Sequence, residues 1–167
     1  MSINALIRTD TVAKVDETLQ FISFMLDAEE YGVEVSKVRE IISMTPITKM
    51  PNAPPHVEGI INLRSRVIPV VSIRRRFNLE EKESSGQTRI IIMDVSGTLV
   101  GIIVDAVLEV IRIKSSEIQP PPSLVLSGCI DHEFITGVVN NADQMLIIVD
   151  VNRMFLDSER EDLDGIM

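Results

Sequence analysis

Phe24–Val35 and Met93–Val104 share one pattern of apolar run, turn and apolar run, and Gly59–Val71 and Gly137–Val149 share another. Gly32, Val35 and Val38 stand at one constant interval from Gly101, Val104 and Val107, whereas Gly59 and Asn62 stand at a larger interval from Gly137 and Asn140. An insertion of a few residues accounts for the change of register. A chain that says the same thing twice must assemble one unit twice and pack the copies together. Each copy holds roughly five short, β-branched runs, the spacing expected of small barrels that leave no free sheet edge. A unit of roughly 65 residues has a marginal core, and two packed together bury what each alone exposes. Repetition by itself also permits a single sandwich.

Within the first copy, Leu19–Leu26 reads as a strand, Asp27–Glu30 as a turn and Tyr31–Val35 as the returning strand. Val38, Ile41 and Ile42 recur at helical spacing after Ser36, a residue able to cap a short helix, while Val35–Ile42 equally fits a continued strand. Thr45–Pro55 holds four prolines and is an irregular connector. The polar loop Lys82–Gln87 is the boundary between halves. It defines a first subdomain over residues 18–82 and a second over residues 87–156, with exchange of strands between them left open. Residues 1–17 and the acidic tail, residues 157–167, are expected to stay solvated and mobile.

Hydrophobic residues make up 45% of the 167 positions but aromatics only 4%, with no Trp, so Ile, Val, Leu and Met must fill the interior. The methionines fall mostly in apolar runs, where packing is their role. A formal net charge of -9 repels phosphate backbones, so nucleic acid would need a strong basic patch. Arg74, Arg75 and Arg76 form the one basic cluster, but consecutive residues cannot share a helix face and no aromatic platform accompanies them. They are expected to be a solvated helix end. No run of about 18 uncharged apolar residues occurs and the start lacks a signal peptide's features, so a soluble, cytoplasmic protein without membrane insertion is expected.

Catalytic constellations are missing. Cys129 stands alone, without a disulfide partner or a zinc-ligand cluster. Cys129 and His132 are a conceivable nucleophile and base, yet no third residue orients them. His56, between prolines, reads as an exposed loop residue. Asp94, Asp105 and Asp150 follow apolar runs, where a carboxylate caps a turn more often than it moves protons. Val95–Gly97 is not a phosphate-cradling loop, and no cofactor is expected. Weight therefore moves to surfaces. Val38, Val107 and Val110 lie in runs too apolar to bury on one face; they are either core or the lining of a groove able to accept an amphipathic helix. Gly59–Val71 is a hairpin whose junction lifts out Arg64, either a solvated turn residue or a planar donor to a partner's carboxylate.

The hairpin's Asn62-Leu63-Arg64, together with Glu29–Ile41, Val100–Val110 and Ile135–Val139, resembles the CheW family of bacterial chemotaxis coupling proteins over most of residues 18–156. Ser65 stands where that family usually has glycine, and Ser72 where the strand commonly ends in aspartate. The resemblance implies a mainly β fold of two SH3-like five-stranded β-barrel subdomains with short connecting helices. It implies a non-catalytic scaffold that couples the cytoplasmic tips of chemoreceptors to the regulatory domain of the histidine kinase CheA, in the cytoplasm and recruited to membrane-bound receptor arrays. Positions matching Val38, Arg64, Val107 and Val110 belong to the family's receptor surface, in the groove between barrels. Val35, Glu40 and Gly59 match one kinase-facing surface, Leu124 a second. Glu40 is expected to pair with a basic group of the partner, and Gly59 to let backbones come close. A coupling protein of a pilus-motility or other chemosensory pathway, an SH3-like nucleic-acid module and a Cys/His hydrolase are the alternatives.

Overall fold

The computed structural model describes residues 16–77, 79–121, 134–141 and 144–154. Five strands precede the Lys82–Gln87 loop: β1 (Thr18–Leu26), β2 (Glu29–Glu34), β3 (Val38–Ser43), β4 (Val57–Leu63) and β5 (Arg66–Ser72). Among the described residues five follow it: β6 (Arg89–Val95), β7 (Thr98–Val104), β8 (Ala106–Lys114), β9 (Ile135–Asn141) and β10 (Gln144–Val149). Helices Ile73–Arg76 and Val151–Met154 end the two halves, again as a matched pair. The turn after β1 is only Asp27–Ala28, with Leu26 paired to Glu29, so β2 begins earlier than the sequence suggests. The ambiguous stretch Val35–Ile42 divides: Val35–Lys37 is a 3-10 turn and Val38 begins β3.

The sheets interleave the halves. One has the order β8-β1-β2-β10-β9 and the other β3-β6-β7-β5-β4, so each takes one hairpin from one half and three strands from the other. The exchange is sealed by two parallel pairs, Gly32 opposite Ile148 and Gly101 opposite Val70. These are the repeated glycines, and a Cβ on Gly101 would lie 2.8 Å from a methyl of Ile90.

Each sheet closes on itself by the same device. Thr48, beyond β3, exchanges backbone hydrogen bonds of 2.9 and 2.8 Å with Ile60 of β4; Gln119, beyond β8, exchanges two of 2.8 Å with Val138 of β9. Glycine makes room for each crossing. A Cβ on Gly59 would stand 2.3 Å from the Thr48 carbonyl oxygen, and one on Gly137 would stand 2.4 Å from Cγ2 of Ile118. The molecule is thus mainly β, two five-stranded SH3-like barrels.

Packing explains the uncharged stretches Ile90–Met93 and Leu146–Val149. Ile90 and Ile92 point into one barrel, with Ile61, Ile68 and Val70, whereas Ile91 and Met93 point between the barrels. Leu146 and Ile148 enter the other barrel with Phe21, Ile113 and Val139, while Val149 joins the central core. Strands buried on both faces read as unbroken apolar runs. The central core holds a relay of rings: Phe24 to Tyr31 at 5.8 Å, Tyr31 to Phe77 at 5.4 Å and Phe77 to Phe134 at 6.1 Å between centroids.

The arginine cluster departs from expectation. Arg74 and Arg76 are buried rather than solvated. Arg74 reaches Asp27 of the β1–β2 turn and Asp105 between β7 and β8, each at 2.9 Å, and so ties the two barrels together. Burial pulls its pKa down, but these two carboxylates hold it above its ordinary value. Arg75 pairs with Glu58 and Glu81, and Arg76 donates to the Met154 carbonyl at 2.9 Å with its guanidinium 4.2 Å from the Phe134 ring centre. Three cations that looked like a surface patch are occupied internally, which removes the basis for reading them as a phosphate-binding site.

Candidate protein-binding surface

The surface arises from two β-bulges. Where β8 pairs with β1, Ile22 faces Val110 and Phe24 faces Val107, so Leu108 and Glu109 together oppose the single residue Ser23. Residues three apart on a regular strand point to opposite faces. The extra residue cancels that alternation, and Val107 and Val110 emerge on the same side as Phe24 and Ile22. Ser23 is fully buried and its hydroxyl accepts the Glu109 amide at 3.3 Å, satisfying a donor the bulge frees from the ladder.

β3 repeats the construction. Val38 pairs with Met93 and Glu40 with Ile92, leaving Arg39 as the extra residue. Val38 therefore shares the inward-facing side of Met93, and Ile41 that of Ile91. Val38 and Val107 are half-buried against the same central core, whereas Ile41 is 38% and Val110 55% exposed. Leu108, within the bulge, is 48% exposed. Each strand thus carries a valine rooted in the core and, three residues on, an aliphatic side chain in solvent. An exposed apolar surface continuous with a core is a candidate place for another protein to pack.

Arg64 is brought to β3 from the β4–β5 hairpin. Its guanidinium donates to both carboxylate oxygens of Glu40, at 2.8 and 2.5 Å. The Arg64 side chain is 72% exposed and that of Glu40 29%. The hydrogen bond from Arg64 holds the Glu40 carboxyl below its ordinary value, and the same bond raises the arginine. Each residue was expected to meet a partner protein; in the isolated chain they meet each other. The turn itself places Arg64 at φ 51° and Ser65 at φ 69°, both left-handed, with the Ser65 amide held by Oδ1 of Asn62 at 3.0 Å. Serine here keeps the two-residue hairpin that glycine favours, at a steric cost. Ser72, the second departure, accepts the Arg75 amide at 3.3 Å and caps the helix, a task aspartate also performs.

The other candidates fall elsewhere. Val35 lies in the 3-10 turn, half-buried against the central core. Gly59 is buried, and the close approach it permits is to Thr48 of its own chain. Leu124, Cys129 and His132 lie outside the described residues. His56 is half-buried rather than exposed, and its carbonyl accepts the Ser72 amide at 2.9 Å. Asp94, Asp105 and Asp150 do cap turns, accepting the amides of Gly97, Asp27 and Asn152 at 2.8, 2.8 and 2.9 Å. Among the described residues no cluster of three His, Cys, Asp or Glu side chains is arranged to hold a metal ion, and no helix is long and apolar enough to cross a membrane. Ile41 and Leu108 were missed by sequence reasoning. The repeat carried the signal for Ile41, which stands at the interval from Val110 that separates Val38 from Val107.

The chain as a whole is similar to known proteins in three respects. Residues 20–159 match the family model for the CheW-like domain. The chain is 36% identical over 155 residues to the chemotaxis protein CheW of Treponema pallidum (strain Nichols), covering 90% of each, and 35% identical over 147 residues to that of Bacillus subtilis (strain 168), covering 88% of this chain and 92% of the relative. The crystal structure of the scaffolding protein TtCheW from Thermoanaerobacter tengcongensis superposes with a TM-score of 0.77 at 37% identity, over 86% of this chain and 91% of that one.

Proposed function

This chain belongs to the CheW family, and on that footing we propose that it couples the cytoplasmic tips of chemoreceptors to the regulatory domain of the histidine kinase CheA. At the coarser level it is a non-catalytic adaptor of chemotaxis, as its family is. The observation that carries the finer reading is the pair of core-rooted apolar rows, Val38 with Ile41 and Val107 with Val110, which two separate bulges turn to the same side of their sheets. A helix laying its apolar stripe along them buries exposed aliphatic area, about 25 cal/mol for each Å² removed from water. Val38, Arg64, Val107 and Val110 form the receptor surface in this reading, with Ile41 added. Val35 and Glu40, with Gly59 beside them, belong to one kinase-facing surface, and Leu124 to a second contact. Gly59 contributes by shaping the barrel's closure, and a cation of the kinase that claims Glu40 does so in exchange for Arg64.

Coupling follows from differential binding. A receptor whose tip changes shape shifts the kinase only by as much as its affinity for the complex differs between the two shapes. Holding the kinase beside clustered receptors also makes its second contact effectively intramolecular. Receptor-containing vesicles, CheA and this chain are co-sedimented to test the reading: CheA is recruited with the wild-type chain and lost with Val110→Asp or Ile41→Asp, with circular dichroism as the check that each variant keeps its fold. Recruitment that survives both substitutions sinks it.

A further inference from the structure

We propose that Arg89, supported by Lys82, recognises a carboxylate on the helix bound between the sheets; this rests on the receptor-binding reading and adds the charge that the bound helix must carry. A cleft of about 520 Å³ opens where β8 begins, with Met25, Val107 and Leu108 on its apolar side and Lys82 and Arg89 on its lip. Asp27 and Asp105 also line it, but both are held by buried Arg74 at 2.9 Å, and Lys82 lies 3.9 Å from Asp105.

Arg89 is placed differently from the arginines that hold carboxylates. Its Nη1 donates to the carbonyls of Gly86 at 2.8 Å and Thr88 at 2.9 Å, and no carboxylate pairs with it among the described residues. The loop supplying those carbonyls is fixed in turn, the Ser85 amide donating to Oγ1 of Thr88 at 2.8 Å. One edge of the guanidinium is therefore anchored to neutral oxygens while its other N–H donors keep their fork for a planar acceptor. The register puts Arg89 opposite Val104 and two residues before Ile91, both in the central core, so it issues from the sheet face that bears Ile41.

The rest of the molecule works against such a partner. With a formal net charge of -9 the chain repels acidic segments at long range, and a fixed local cation beside apolar side chains is what makes an acidic helix acceptable here. A helix resting on Val107 and Leu108 thus presents Asp or Glu on the flank nearest β6, where bidentate pairing sets its rotation about its own axis.

The test is a titration of the full chain with a purified cytoplasmic fragment of a methyl-accepting chemotaxis receptor, at low and at physiological salt. Arg89→Gln is expected to weaken binding about tenfold at low salt and to flatten the salt dependence. Arg89→Lys, which keeps the charge and loses the fork, falls between. Arg89→Gln with wild-type affinity and salt slope overturns the proposal. Val110→Asp in the same series separates the two ideas: if it abolishes binding while Arg89→Gln does not, only the carboxylate claim falls, and if neither matters the groove reading falls with it. A urea midpoint for each variant guards against a loosened loop; should Arg89→Gln be destabilised, the salt slope of Arg89→Lys decides, a wild-type slope and affinity counting against the fork.

Discussion

β3 and β8 are the same strand built twice, yet they offer different surfaces. Both leave the core at a valine, bulge and carry an aliphatic residue into solvent. They part at the carboxylate beside the bulge. Glu40 is clasped by Arg64, whereas Glu109, at the matching place in the repeat, is exposed, and the sequence has Ala142 where the first hairpin has Arg64. The bulges are also held differently, one by the buried Ser23 hydroxyl and the other with the apolar Ile92 in that position. Duplication supplied the frame, and single changes in a turn and a strand made two walls of unlike chemistry.

The strongest way to break the comparison is to separate the copies. Because each barrel needs strands from both halves, fragments ending at Lys82 and beginning at Gln87 are each expected to be unfolded by circular dichroism and to recover β structure when mixed. A fragment that folds alone would show that the halves are independent. Next in size is the closure. Gly59→Ala forces a Cβ to within 2.3 Å of a backbone oxygen and is expected to cost about 3 kcal/mol, while Gly137→Ala meets a side-chain methyl of Ile118 first and a backbone oxygen only at 3.1 Å, and is expected to cost about 1 kcal/mol. Urea unfolding of both variants measures the asymmetry; equal losses would mean that the crossings are equally tight.

Smaller effects sharpen the contrast at the hairpin. Ser65→Gly relieves a left-handed serine and is expected to stabilise by about 1 kcal/mol in the same assay, with the Arg64–Glu40 pair intact. The pair itself contributes least, since both side chains are open to solvent. Its sign with pH is nonetheless fixed. A carboxyl held below its ordinary value of 4.5 stabilises the fold while ionised, so the contribution is present above that pH and is lost as pH falls through the lowered value. Glu40→Gln is therefore expected to be slightly less stable than wild type at pH 7, with the gap closing in strongly acid solution; a gap that widened there would refute the pair as its source.

Much of the architecture was legible because the repeat is written in residues with one geometric use. Gly59 and Gly137 mark where a crossing strand needs space, Gly32 and Gly101 where the exchanged hairpins meet, and the alternating Ile and Val runs mark strands with both faces buried. What hid was whatever depends on pairing between distant segments. The bulges do not show in the sequence, since Leu108-Glu109 and Arg39 look like ordinary strand residues until the partner strands β1 and β6 are set opposite them. The fate of Arg74–Arg76 was hidden for the same reason: their carboxylate and carbonyl partners, from Asp27 to Met154, lie on other elements. The sequence could single out Val38, Arg64, Val107 and Val110 as candidates for a receptor surface, but not that Glu40 would occupy Arg64.

The exchanged hairpins bear on how the molecule carries load. Were the two halves strung on a single tether, a pull between proteins held on opposite barrels would stretch that tether and leave each domain relaxed. Here the pull meets two connections that pass from one barrel to the other, β2 to β3 and β7 to β8, and the strands at their ends are paired within five-stranded sheets. Tension is shared by both sheets at once, so a displacement at one end arrives at the other as a movement of the whole body.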